Sequence, residues 1–213
     1  MNPKVRKELK DYTNVGLFLE NLQGKIDFAQ IFGRWGSVHI EIGSGKGTFL
    51  VSQAAAQPQV DFLGIEWARK YYRYAVDRIG RRGLPNVRIV RADAPAFLRD
   101  FVPAESVDCF HIYFPDPWPK KRHHKRRLLQ SSHLEIIVQR LKPGGQIRLA
   151  TDHEEYFQQM LAVAKACGSW IDPIEFERPA GARDGECTGT NYERKYVKES
   201  RAIHTAAFRK RIP

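Results

Sequence analysis

Two hydrophobic periods take turns along the chain. Short apolar, β-branched runs at 38–42, 60–65, 87–90, 107–114 and 146–150 read as strands. Between them, at 48–56, 68–79, 94–101, 127–141 and 154–167, apolar residues recur every three or four positions, the period of a helix with one buried face. Strands that alternate with helices predict a parallel sheet covered on both sides, a doubly wound α/β fold. Pro143, Gly144 and Gly145 supply stop signals before the fifth strand, since proline cannot continue a helix and glycine accepts the left-handed cap. Two more strands, near 171–177 and 202–209, flank a loop rich in Gly, Pro and Thr, and loops of that length are often functional. The first 24 residues are polar and basic with weak periodicity, so they are expected to form an arm or capping helix, leaving 25–213 as one domain.

The 213 residues, 42% of them hydrophobic, suffice for one sizeable core. No run of eighteen apolar residues and no signal-peptide core occurs, and Cys109, Cys167 and Cys187 contain no CxxC pair. The expectation is a cytoplasmic protein without disulfide or metal, monomeric or homodimeric. A net charge of +11 points instead to a polyanionic partner, either nucleic acid or an anionic membrane surface.

Chemistry concentrates at the carboxyl ends of the predicted strands, where doubly wound sheets bind ligands. Gly43, Gly45 and Gly47 follow the first of these strands and precede a helix, which allows backbone to approach a ligand closely. Glu41 ends that strand, Glu66 ends the second and Asp93 follows the third, so three acids line one crevice. Glu66 is placed to accept from both hydroxyls of a ribose, and Asp93, beside Ala94, from an adenine amino group. A nicotinamide dinucleotide prefers GxGxxG with its pyrophosphate on the helix N-terminus. Here the spacing is GxGxG and Glu41 would repel a phosphate, whereas S-adenosylmethionine brings an ammonium and a sulfonium.

After the fourth strand comes Asp116, fixed between Pro115 and Pro117 and followed by Trp118, which either stacks on a base or plugs the core. Lys120, Lys121, Arg122, Lys125, Arg126 and Arg127 then place six cations in eight residues. At the start of a helix they oppose the macrodipole, which makes sense with an anionic partner such as a phosphate backbone. His123 and His124 lack a matching acid or cysteine cluster and read as solvent or phosphate contacts. Thr151 and Asp152 open the helix after the fifth strand, where one of them is expected to cap it.

The stretches EIGSGKG, GIEWARKYYRYA, RADA, FPDPWPKKRHHKRRLL, LATDHEEYF and TNYERK, in this order, resemble the tRNA (guanine-N7)-methyltransferases over residues 37–209. That resemblance implies a Rossmann-like methyltransferase fold of seven strands with an antiparallel last strand. It also implies S-adenosylmethionine-dependent methylation of a variable-loop guanine, nucleotide 46, in tRNA. It assigns the cofactor to Glu41, Gly43, Gly45, Glu66, Asp93, Ala94 and Asp116, with Asp116 catalytic, and the substrate to Lys120, Asp152, Thr190, Asn191, Tyr192 and Glu193. Tyr192 reads equally as core or as a base-stacking ring. One departure is that Lys198-Glu199-Ser200-Arg201 stands where the family has a glycine.

Because guanine N7 carries a lone pair and no proton, the reaction needs positioning more than a strong base. Asp116, Asp152 and Glu193 are the acids expected to hold the N1–H and 2-amino fork of the base. Two rivals remain at this level. FPDPW faintly resembles the (D/N)PP(Y/F) motif of amine methyltransferases, and a non-catalytic RNA-binding module would keep the basic run without using the cofactor crevice.

Overall fold

In a computed structural model, which describes residues 8–212, a single eight-stranded sheet is covered by helices on both faces. The first seven residues of the basic arm lie outside the described residues. In chain order the elements are β1 (Gly16–Leu17), α1 (Phe28–Phe32), β2 (Ser37–Ile42), α2 (Thr48–Ala56), β3 (Val60–Glu66), α3 (Arg69–Arg82), β4 (Val87–Arg91), α4 (Ala94–Phe101), β5 (Val107–Tyr113), α5 (Ser131–Arg140), β6 (Leu141–Thr151), α6 (Glu154–Ala166), β7 (Ile171–Ile174), α7 (Asn191–Lys198) and β8 (His204–Lys210). The spatial order is β1-β4-β3-β2-β5-β6-β8-β7, parallel except where β8 runs antiparallel between β6 and β7.

The chain winds outward through β2, β3 and β4, then returns to the middle and winds the other way through β5 and β6. The reversal falls between β2 and β5, which pair directly, with Ile42 opposite Ile112. Outside the carboxyl ends of these two strands the connections part and leave a crevice. All seven residues of β3 are buried, as expected of a strand covered on both faces. Its side chains alternate between two cores. Leu63 and Ile65 join Phe97, Leu134, Ile137 and Met160 from α4, α5 and α6. Phe62 joins Leu50, Val76 and Ile79 from α2 and α3.

Three features differ from the sequence reading. The arm carries an eighth strand, β1, which adds to the sheet beside β4, and Tyr12 packs so closely on α3 that a Cβ at Gly80 would meet its ring at 2.1 Å. The basic run does not open a long helix: Lys121–Arg126 forms a separate 3-10 turn, Arg127 is extended, and α5 begins only at Ser131. Its cations therefore face no α-helical dipole. Last, the predicted loop before β8 contains α7. Thr190 caps it by accepting the Glu193 N–H at 3.1 Å, a Thr-x-x-Glu signature legible in the sequence.

Candidate active site

The turn between β2 and α2 needs glycine. Gly43, Gly45 and Gly47 have φ of +81°, +54° and +67°, a region that side chains with a Cβ seldom enter. Gly43 and Ser44 donate their N–H groups to the carbonyl of Ile65, at 2.8 and 3.2 Å, so the turn folds over the end of β3. Gly64 lies beneath it, where a Cβ would meet Ser44 Oγ at 2.6 Å and Leu50 at 2.5 Å.

Two connected chambers open around this turn. One is lined by Glu41, Ser44, Lys46, Thr48, Phe49 and Asn191. The other is lined by Glu66, Trp67, Asp93, Ala94, Asp116 and Trp118, with Arg126 at its edge. Gly43, Gly45, Tyr71, Tyr113 and Tyr192 belong to both. The strand ends thus bring Glu41, Glu66, Asp93 and Asp116 to one crevice.

Each acid is held differently. Glu41 is buried, and its Oε2 has no hydrogen-bond partner among the described residues. Burial pushes its carboxyl up to about 8, against the Ser44 hydroxyl and with added repulsion from Glu66. Glu66 accepts the N–H of Gly45 through Oε2 and that of Ala68 through Oε1, both at 2.7 Å. Burial raises its pKa, the two N–H bonds oppose the rise, and the Asp116 charge adds to it. Asp93 caps α4 by accepting the Ala96 N–H at 3.1 Å through Oδ1. Asp116 stands exposed at the rim. Phe114 and Trp118 on either side have φ of +51° and +42°, strained values that turn the Pro-Asp-Pro segment outward.

A wall of aromatics closes the side away from the sheet. Tyr192 stacks on Tyr196 with ring centroids 6.2 Å apart and tilts against Phe114 at 6.5 Å. Asn191 Nδ2 donates to Thr48 Oγ1 at 2.6 Å, and Arg78 donates to the same hydroxyl, so α7 is tethered to the start of α2. Tyr71, Tyr113, Lys46 and Thr48 are lining residues that the sequence reading missed. The distance in sequence between these tyrosines and the glycine turn hid them, whereas the neighbours of the turn, Lys46 and Thr48, were within reach of it.

Two expected substrate or RNA contacts are corrected, and a third, Asp152, stands apart from the crevice. Glu193 is 1% exposed, and its carboxylate collects the N–H groups of Cys187, Thr188 at 2.9 Å and Gly189 at 2.8 Å together with the Thr188 hydroxyl. It organises the loop before α7 and cannot also grip a base. Asp152 lies off the crevice in an ion pair with Arg201 at 2.7 Å. Arg127 is 1% exposed, donates to the Pro117 carbonyl at 2.7 Å, to Gln159 and to Glu155, and covers the Tyr156 ring at 4.8 Å. It is a buried brace, out of reach of phosphate. Lys120, Lys121, Arg122, Lys125 and Arg126 remain exposed, with the Arg126 guanidinium over Trp118 at 5.0 Å. The cap of α6 is neither Thr151 nor Asp152 but His153, whose Nδ1 accepts the Tyr156 N–H at 3.2 Å.

The family model Methyltransf_4, described as "Putative methyltransferase", matches residues 36–206. Among curated relatives, a tRNA (guanine-N(7)-)-methyltransferase of Nitrosococcus oceani is 42% identical over 164 residues, covering 76% of this chain and 69% of the relative. Those of Halorhodospira halophila and Streptococcus suis are 37% and 36% identical, covering 89% and 87% of this chain and 81% and 85% of the relatives. Among solved structures, the 30S ribosomal A1408 methyltransferase from an uncultured bacterium superposes with a TM-score of 0.59 at 14% identity, over 87% of this chain and 95% of that one. The aminoglycoside resistance methyltransferase NpmB1 gives 0.57 at 19% identity, over 86% and 91%. At such identities the likeness is one of fold. No described helix is long and apolar enough to cross a membrane.

Proposed function

Because the chain belongs to the tRNA (guanine-N7)-methyltransferase family, we propose that it transfers the methyl group of S-adenosylmethionine to N7 of a guanine in the variable loop of tRNA. The observation that carries the reading is the buried, unpartnered Oε2 of Glu41 in a crevice that also holds Glu66, Asp93 and Asp116. A buried acceptor without a donor is costly, and a cationic ligand offsets that cost. An ammonium fits this acceptor and a phosphate does not.

Bound in this crevice, S-adenosylmethionine supplies a methyl carbon made electrophilic by its sulfonium. Glu41 accepts from the ammonium of the amino-acid end. Glu66 has about four lone-pair positions and spends two of them on Gly45 and Ala68, leaving two for the ribose hydroxyls. Asp93 uses Oδ1 for its cap and keeps Oδ2 for an adenine amino group. Gly43 and Gly45 let backbone approach where a Cβ would obstruct, and Tyr71, Tyr113 and Tyr192 exclude water.

For the base, Asp116 is the acid that lines the crevice with a free carboxylate, whereas main-chain donors fill Glu193 and Asp152 stands off the crevice beside Arg201. A carboxylate accepts both the N1–H and the 2-amino group of guanine and aims N7 into the crevice. Methylation moves positive charge from sulfur to the purine, and the fixed negative charge of Asp116 stabilises it there. Tyr192 offers a ring for the base to stack on, and Thr190 and Asn191 present it from the start of α7. Lys120 and the exposed cations of the 3-10 turn hold the RNA backbone. The protein is incubated with unmodified tRNA and S-adenosylmethionine, and both the nucleosides and the nuclease fragments that locate them are analysed by mass spectrometry. Formation of 7-methylguanosine in the variable loop is expected; a product methylated on an amine, or none, overturns the reading.

A further inference from the structure

Below the crevice, on the sheet face covered by α2, three side chains of metal-binding type meet. His39 on β2 is the register partner of Cys109 on β5, and His111 lies two positions further along β5, on the same face. One ligand atom from each lies within 4.8 Å of the others. His39 Nδ1 and His111 Nε2 are 3.2 Å apart, close to the separation of two nitrogens bound at about 2.1 Å to one tetrahedral ion. His111 is oriented from behind, because its Nδ1 pairs with the Tyr113 hydroxyl at 2.9 Å. With Nδ1 protonated and the hydroxyl accepting, Nε2 presents its lone pair to His39, the arrangement by which outer partners orient metal-binding imidazoles. A solvent-open cavity lined by Asp108, Gly145, Gln146 and Arg148 adjoins His39 and Cys109. It gives an ion a route in and room for water.

We propose that His39, Cys109 and His111 bind a divalent cation of the zinc type, with Cys109 as thiolate and a water from the cavity in the fourth position. Two imidazoles and a thiolate select borderline-soft ions over magnesium or calcium. On binding, the hydrated ion gives up water ligands for the two imidazole nitrogens and the Cys109 sulfur, and the thiol proton passes to solvent, with no change of oxidation state. Lys142 and Arg148 at the cavity oppose a cation, Asp108 partly offsets them, and the thiolate supplies the remaining charge. The ion clamps the two central strands to each other. The ligands escape a search for metal motifs because His39 and His111 are 72 positions apart. The inference stands independently of methyl transfer.

Full-length protein freed of metal with a chelator is titrated with Co2+ as a visible probe. One equivalent is expected to produce a thiolate-to-cobalt band in the near ultraviolet with tetrahedral d–d bands, all removed by Zn2+. Cys109→Ser loses the near-ultraviolet band and Cys187→Ser keeps it. Absence of the band in the wild type, or its survival in Cys109→Ser, overturns the proposal. Should Cys109→Ser not fold, His39→Gln retains the thiol and is expected to weaken Co2+ binding at least about tenfold with unchanged circular dichroism; unchanged affinity overturns the proposal as well.

Discussion

Glu66 Oε2 accepts the main-chain N–H of Gly45 at 2.7 Å, so the acid that ends β3 fastens the glycine turn that follows β2. One carboxylate thereby shapes the turn and faces the ligand. Replacing an oxygen by an amide NH2 in Glu66→Gln sets a donor against the Gly45 or Ala68 N–H. Stability is expected to fall by about 1–3 kcal/mol, and affinity for S-adenosylmethionine by at least about tenfold, read by calorimetry. Unchanged affinity in a folded Glu66→Gln protein removes this acid from the cofactor site.

Glu41 links pH to both stability and binding. Its folded carboxyl is pushed up to about 8 by burial, so between the ordinary carboxylate range and that value only the native state holds the proton. Stability therefore falls as pH rises through this window, by about 1.4 kcal/mol per pH unit from this group, and levels off above it. Glu41→Gln abolishes that component, so its midpoint in urea is expected to decline less than that of the wild type between pH 5 and 8. At neutral pH the wild type should release close to one proton on taking up S-adenosylmethionine, because the ammonium favours the ionised acid. Calorimetry in buffers of different ionisation enthalpy measures that release, and none is expected from Glu41→Gln.

Part of the crevice is legible in the sequence. Glu41, Glu66 and Asp93 are legible because short apolar runs mark where the strands end and parallel strands deliver their ends to one edge. The rest depended on competition for partners, which a sequence does not display. Arg127 belongs to a run of cations and reads like its neighbours, yet an extended step between the 3-10 turn and α5 turns it inward over Tyr156. Glu193 reads in the sequence as available for substrate, yet the N–H groups of Cys187, Thr188 and Gly189 fill it. Side chains of β5 such as Tyr113 are apolar in pattern and gain a role only through the register with β2.

The contrast between Arg127 and its exposed neighbours separates folding from RNA binding. Arg127→Ala leaves the Pro117 carbonyl, Gln159 and Glu155 without their donor and opens space above Tyr156. A loss of about 3 kcal/mol is expected from breaking such a buried charged network, seen as a lowered thermal midpoint. Lys121→Ala and Lys125→Ala should leave the midpoint unchanged and weaken tRNA binding. Each is expected to reduce the slope of log affinity against log salt by about one. An unaltered slope in both lysine variants places the RNA elsewhere.

Ser200, in the stretch where the resemblance implies a glycine, has a φ of +55°, a value that favours glycine. Arg201 donates its N–H to the Tyr196 carbonyl at 3.0 Å and Ser200 donates to Val197 at 3.0 Å, closing α7 with a left-handed cap. A serine there carries strain of about 1 kcal/mol. Ser200→Gly relieves it, offset in part by the greater freedom of the unfolded chain, and is expected to stabilise the protein by about 0.5 kcal/mol. The prediction fails if the midpoint in urea drops.

Asp116 tests the chemistry most directly, since it forms no hydrogen bond or ion pair with a described residue and lies exposed at the rim. Asp116→Asn keeps the size of the side chain, and the Pro-Asp-Pro segment stays held between the left-handed Phe114 and Trp118. Stability is therefore expected to move by less than about 0.5 kcal/mol. Turnover is a different matter. The amide can still accept one hydrogen bond from guanine, but it loses the second acceptor and the charge that offsets the positive purine. A fall in kcat of about 100-fold or more is expected, with affinity for S-adenosylmethionine changed far less. Single-turnover methylation of tRNA under saturating enzyme separates the two quantities, and a wild-type rate in this assay excludes Asp116 from the transition state.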